Sequence, residues 1–287
     1  MPVTAAGIAA VLGVDVDRVT RRPWAYASSL PMERIDLDGA PSLLFKDLSS
    51  SASLPRPAFL VDRRREITAY TEVLGELAVD APACRASLID EERAWLFLEL
   101  IDGTPLWQSG ALEVWEEVAR RLAALHASPP PRRAGLLRYD AEHLGRRLAL
   151  AGSLPGDITV RVAERLARLP AVPIHGECYP SNVLVQREAG RMRIRPVDWE
   201  TFGTGPGALD LAALTAGSWD AAARTRIERA YREACPPELR PTATDLDDAR
   251  LVMAAQMLGW SADWTPPPEH RQDWERIATE LRDRVGS

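Results

Sequence analysis

Apolar positions along this chain recur with two different periods, and the change from one to the other marks out its parts. Ile8, Val11 and Leu12 keep helical spacing and predict a short amphipathic helix over residues 4–12. Three short runs follow, 19–29, 33–37 and 42–47, separated by Leu30-Pro31 and Asp38-Gly39. They predict three strands of an antiparallel meander. Helical spacing returns over 63–77 with Ile67, Tyr70, Leu74 and Leu77. The run AWLFLEL over 94–100 predicts an apolar strand, and Ile101-Asp102-Gly103 breaks it as a linker would. Beyond that break the pattern is mostly helical. Val114, Val118, Leu122 and Leu125 form one face of a helix over 112–126, with His126 read as a C-terminal cap. Further helices are predicted over 139–150, 157–168, 218–234, 243–262 and 271–284, and one opening near Leu209 after the glycine-rich TFGTGPG.

One stretch between the helices alternates as strands do. Val183–Gln186 and Arg193–Val197 are short β-branched and apolar runs joined by Glu188, Ala189 and Gly190, which read as a hairpin. A hairpin brings its outer ends together, so Asn182 and Asp198 should sit side by side. An amide oxygen and a carboxylate so placed suit Mg²⁺, a hard cation that completes its shell with water and phosphate oxygens. Glu177, upstream in HGECYPSN, adds a carboxylate able to orient a substrate hydroxyl.

Composition sharpens this reading. Lys and Arg total 35, and a single one, Lys46, is lysine; Asn182 is the single asparagine. A chain that otherwise uses arginine for positive charge keeps Lys46 inside the apolar run SLLFKDL, which argues for a function particular to lysine. Glu66, on the first turn of the helix over 63–77, is the expected partner. The net charge of −6 and the lack of a basic face argue against nucleic acid. Cys84, Cys178 and Cys235 have no metal-ligand spacing and read as reduced thiols. No apolar run reaches membrane-spanning length and the first residues lack a signal-peptide pattern, so a cytoplasmic protein without membrane attachment is expected.

Strand lysine, helix glutamate, apolar linker strand, His175-Gly176-Glu177 with Asn182, then Val197-Asp198-Trp199-Glu200: in this order the chain resembles the aminoglycoside phosphotransferase and choline kinase-like family. The resemblance implies an α+β, bilobal protein-kinase-like fold. A small antiparallel-sheet N-lobe would span residues 1–100, and a larger, mostly helical C-lobe residues 101–287. It implies ATP and Mg²⁺. Lys46 would hold the α- and β-phosphates, with Glu66 fixing its ammonium, and the backbone of Glu99 and Ile101 would meet the adenine edge. Asn182 and Asp198 would bind the metal, with Glu200 assisting. His175 and Asp210 would hold the catalytic loop in shape.

Two departures matter. The family's usual acid is aspartate, where this chain has Glu177, and a misplacement near 1 Å can cost ~10²-fold in rate. The loop between the first two strands, Tyr26 to Pro31, has no glycine, leaving Ser28 and Ser29 to approach a phosphate through their amides. The expected function is an ATP-dependent small-molecule kinase with a hydroxyl acceptor: an aminoglycoside, a sugar-containing natural product or an amino alcohol. The alternative is a catalytically weak pseudokinase that binds nucleotide or ligand and acts through partners. Trp219, Asp220, Asp263 and Trp264 are the acceptor candidates, because indoles stack on sugars and acids attract amines. Neither the acceptor's identity nor the oligomeric state is readable.

Overall fold

In the computed structural model, residues 3–24, 30–49, 57–188, 190–217, 219–261 and 274–286 are described. The N-terminal lobe is a five-stranded antiparallel sheet of β1 (Val19–Pro23), β2 (Met32–Leu37), β3 (Ala40–Asp47), β4 (Cys84–Ile89) and β5 (Ala94–Glu99). The strand order is β1-β2-β3-β5-β4, so the expected meander forms one half and the AWLFLEL strand slots in beside it.

Alternation along the strands gives this sheet two apolar faces. Leu43, Phe45, Trp95 and Phe97 point one way and pack with Ile35 against Ile8 of helix α1 (Ala5–Leu12). Leu96 and Leu98 point the other way, into the main core of the molecule, and Leu44 packs against that core as well. Lys46 lies in register with Leu96, at the middle strand and not at an edge.

The helix expected over 63–77 is broken into three windings: an α-turn, α2 (Arg65–Thr68), a π-helical stretch over Ala69–Val73, and a 3₁₀ turn over Leu74–Glu76. After β5 the chain enters a second sheet through β6 (Thr104–Pro105). The larger lobe holds α3 (Leu112–His126), α4 (Ala141–Ala149), α5 (Gly156–Ala167), α6 (Ala208–Leu214), α7 (Ala221–Ala234), α8 (Ala243–Ser261) and α9 (Trp274–Gly286). No helix among the described residues is long and apolar enough to cross a membrane.

Two small sheets line the junction. The first runs β10-β9-β6 and contains the predicted hairpin, β9 (Val183–Glu188) with β10 (Arg191–Pro196). The second joins β7 (Leu137–Arg138), β11 (Gly203–Pro206) and β8 (Ala171–Ile174). Hydrophobic patterning announces none of these three. β11 is Gly-Thr-Gly-Pro, and its glycines are there for clearance. A Cβ on Gly203 would lie 2.2 Å from the Leu137 carbonyl oxygen, and one on Gly205 would lie 2.5 Å from Tyr139 Cβ. The path from β8 to β11 is the one that carries the candidate site.

Candidate active site

Three distant parts of the sequence meet at one ammonium. Lys46 Nζ donates to Glu66 Oε1 at 2.6 Å and to Asp198 Oδ1 at 2.7 Å. Lys46 is 5% exposed and Glu66 1%. Burial opposes the charge on Lys46, but the Asp198 and Glu66 carboxylates outweigh it and hold its pKa well above the ordinary lysine value. Burial pushes Glu66 up to about 7, against the pull of Lys46. A compact ammonium fits between two carboxylates where a planar guanidinium would demand a wider, bidentate geometry.

The loop after β8 is held from below. Asp210, fully buried on α6, accepts the backbone N–H of His175 at 2.7 Å and of Gly176 at 2.8 Å. His126 Nε2 reaches the same carboxylate at 3.2 Å and its Nδ1 meets the Tyr231 hydroxyl at 2.7 Å. His126 is therefore not the cap expected at the end of α3; its ring is spent orienting Asp210. His175 Nε2 donates to the Val197 carbonyl at 2.9 Å, and burial lowers the ring's pKa, which keeps it neutral. Gly176 has φ +85°, and a Cβ there would lie 2.0 Å from the Tyr139 hydroxyl, so no other residue fits.

The Glu177 carbonyl accepts Tyr179 N–H at 2.7 Å and Asn182 Nδ2 at 3.0 Å, closing a tight turn. Val197 N–H donates to the Asn182 carbonyl at 2.8 Å, which continues the hairpin register and sets Asn182 beside Asp198. Because Nδ2 donates to a carbonyl, Asn182 Oδ1 is the atom turned to the other side, an arrangement that aspartate, with no N–H, does not supply. Asp198 takes φ +67°, the single positive φ among described residues other than glycine. Buried Trp199 behind it packs on the His175 ring, centroids 4.4 Å apart, and donates Nε1–H to the Pro196 carbonyl.

The oxygens of Asn182 and Asp198 fit Mg²⁺ as a pair that leaves most of the shell to water and phosphate. No group of three His, Cys, Asp or Glu side chains suited to a metal is found among the described residues. Glu200 stands near enough for its charge to act on Lys46 and Glu66, while its carbonyl accepts from Arg65 Nη1 at 3.0 Å.

At the lobe junction, Glu99 N–H is taken by the Ala83 carbonyl and its carboxylate by Arg195 Nη2 at 2.6 Å. What Glu99 would offer an adenine edge is therefore its carbonyl. Ile101 is buried in the stretch just after. Arg195, 1% exposed, also donates to the Asp80 and Ala81 carbonyls and to Gln186, so it clamps β10 to the junction.

The acceptor candidates fare differently. Trp219 packs edge-on against Trp115 with centroids 4.6 Å apart, and Asp220 caps α7 by accepting Ala223 N–H at 2.7 Å. In this structure Trp219 is engaged in packing and Asp220 in capping. Asp263 and Trp264 lie outside the described residues, as do Ser28 and Ser29.

Two residues at the site went unread in the sequence. Gln256 of α8 donates Nε2–H to Glu177 Oε1 at 2.9 Å, and Arg147 of α4 donates to Gln256 Oε1 at 2.6 Å. The one available signal was a glutamine within the apolar run LVMAAQML.

Residues 38–242, well over half of the chain, match the phosphotransferase enzyme family. No protein of curated function matches the sequence. Solved structures share the fold. A putative fructosamine-3-kinase from Haemophilus somnus 129PT aligns with TM-score 0.65 at 12% identity, covering 97% of this chain and 96% of that one. Macrolide 2'-phosphotransferase MphH from Brachybacterium faecium aligns with TM-score 0.58 at 21% identity, covering 92% and 97%. LicA in complex with AMP aligns with TM-score 0.64 at 14% identity, covering 93% and 92%.

Proposed function

The chain belongs to the phosphotransferase enzyme family, and from that premise we propose that it transfers the γ-phosphate of ATP, with Mg²⁺, to a hydroxyl of a small molecule. An aminoglycoside, a sugar-containing natural product or an amino alcohol is the acceptor class, and the cytoplasm, where ATP is supplied, is the location. The observation that carries the reading is the Lys46 ammonium bound at once to Glu66 and Asp198, from positions 20 and 152 residues away.

Phosphoryl transfer needs positioning and charge neutralisation more than covalent help from the protein. Two of the three ammonium donors of Lys46 are engaged by carboxylates, and Glu66 keeps the head aimed into the junction where α- and β-phosphates would lie. Asn182 and Asp198 would hold Mg²⁺, which when bound offsets the charge that builds on the phosphate oxygens. Glu177 takes the proton of the acceptor hydroxyl as that oxygen bonds to the γ-phosphorus. The bond from the γ-phosphorus to the β,γ-bridging oxygen breaks, and ADP leaves with the electron pair. LicA, which shares the fold, is solved in complex with AMP, and this supports a nucleotide as ligand. The alternative of a binding protein without turnover draws no support from the comparisons.

The test is ADP formation from ATP and Mg²⁺ across a panel of amino alcohols, aminoglycosides and sugar-bearing natural products. Acceptor-dependent ADP release is expected, and Lys46→Ala should abolish it while the circular dichroism spectrum stays unchanged. If no panel member stimulates ADP release and ATP raises the melting temperature equally with Mg²⁺ and with chelator, the proposal fails.

A further inference from the structure

Glu177 ends a relay that no part of the reaction as described above uses. Its backbone is fixed by the two bonds to its carbonyl, and its side chain is 4% exposed. Gln256, 1% exposed, meets one carboxylate oxygen, and Arg147, 2% exposed, meets the other end of the same amide. Chemistry fixes the orientation of that amide. A guanidinium carries donors alone, so Oε1 must face Arg147, and Nε2 must then face the acceptor-only carboxylate.

The other partners of Arg147 are neutral: the Tyr139 hydroxyl at 3.2 Å, the His143 Nε2 at 3.1 Å, and the Tyr139 ring beneath the guanidinium. A cation taken out of water needs a compensating charge. The carboxylate that Arg147 reaches, across one amide, is Glu177. The length of Glu177 is part of the same design. An aspartate would withdraw the carboxylate by ~1.5 Å, one C–C bond, and stretch the 2.9 Å contact to Gln256 beyond hydrogen-bonding range.

We propose that Gln256 and Arg147 are positioning residues for the Glu177 carboxylate, forming a buried relay across one amide that fixes the base against the loop. The proposal rests on the phosphotransferase reading. The loop supplies the base, α8 supplies the donor that aims it, and α4 supplies the charge that steadies it. The use of glutamate in place of the family's aspartate then follows from α8, since the longer side chain has a partner there.

Two measurements test this, one of which does not need turnover. In the first, ATP hydrolysis with water as acceptor, and transfer to any acceptor found, are followed for wild type, Gln256→Met, Gln256→Glu and Glu177→Asp. Gln256→Met and Glu177→Asp should each lower kcat by about tenfold or more while KM for ATP stays within about twofold, because a loosened base costs rate and not nucleotide binding. Gln256→Glu should lower kcat likewise, because it sets an acceptor where Glu177 meets a donor. Wild-type kcat in the Gln256 variants would overturn the proposal.

The second measurement is a double-mutant cycle of urea unfolding on the apoprotein with Glu177→Gln and Arg147→Met. The paired variant should be less destabilised than the sum of the single ones, since each single change strands one buried partner. The exchange of Glu177→Gln with Gln256→Glu should recover stability without recovering turnover. Additive single effects would overturn the relay whatever the kinetics show. Coupling in the cycle together with no turnover in wild type would instead count against the phosphotransferase reading.

Discussion

At the scale of single residues, the two amino acids this chain uses once each sit where their particular chemistry is needed. Lys46 puts three donors on a point charge among carboxylates, and Asn182 offers an oxygen on one side while its N–H closes the loop on the other. Rarity was thus a readable signal. His143 carries no such signal, yet it supports a definite expectation. Burial and the charge of Arg147 lower its pKa to about 3, from 6.5 in the unfolded chain, and its Nε2 accepts from Arg147. The folded form therefore resists a proton that the unfolded form takes up below pH 6.5. The stabilisation that His143 contributes is fully present above 6.5 and is lost as pH falls toward about 3, on the order of 1.4 kcal/mol for each pH unit. Urea midpoints measured from pH 7.5 down to 4 should fall less steeply for His143→Gln, which keeps an acceptor that does not titrate. Parallel slopes would show that His143 is not the group responsible.

At the scale of elements, the legible parts were those whose apolar residues repeat. α3 runs over the predicted 112–126, and the predicted hairpin forms, with Val183 opposite Pro196 and the Asn182 carbonyl accepting Val197 N–H. The illegible parts were those shaped by contact with something distant in sequence. β11 has no strand-forming residue but one threonine, and it pairs because its glycines let β7 and Tyr139 come close. β4 alternates properly yet is a short edge strand between turns, and β8 contains a proline. Gly205→Ala puts a methyl group 2.5 Å from Tyr139 Cβ, a contact that only movement of the strand relieves. Overpacking of this kind costs about 1–3 kcal/mol or more, and here the strand that yields is tied to the Glu177 loop. Gly145→Ala, inside α4 with nothing within 4 Å of the new methyl, should instead stabilise by up to about 1 kcal/mol through helix propensity. The difference between the two urea midpoints is the readout. Equal effects would mean that β11 does not use its glycines for clearance.

At the scale of the whole molecule, the lobes are joined by charged side chains that reach from one into the other, and this is where the sequence was silent. The helical pattern over 63–77 assigns Arg65 no role. The Arg65 side chain leaves α2 and donates to the Gly135 carbonyl at 3.1 Å and the Glu200 carbonyl at 3.0 Å, as well as to Leu60 in its own lobe. It is 5% exposed, and burial lowers its pKa without a carboxylate at the end of its hydrogen bonds. Three backbone carbonyls satisfy the guanidinium, and in return it fastens the residue before Glu66 to the segment two residues past Asp198. The Lys46 triad spans the same gap, so its geometry depends on that fastening. Arg65→Met fills similar space and removes every donor. Hydrogen bonds to charged groups contribute about 1.5–3 kcal/mol each, so the lobes should come apart at lower urea and the three orphaned carbonyls should add to the loss. The telling measurement is kinetic. If Arg65 sets the Glu66–Asp198 spacing, Arg65→Met should raise KM for ATP and lower kcat together. High ligand concentration should then restore thermal stability without restoring kcat. A variant that loses stability but keeps wild-type kcat at saturating ATP would show that the lobes hold their alignment through Lys46 and Arg195 alone.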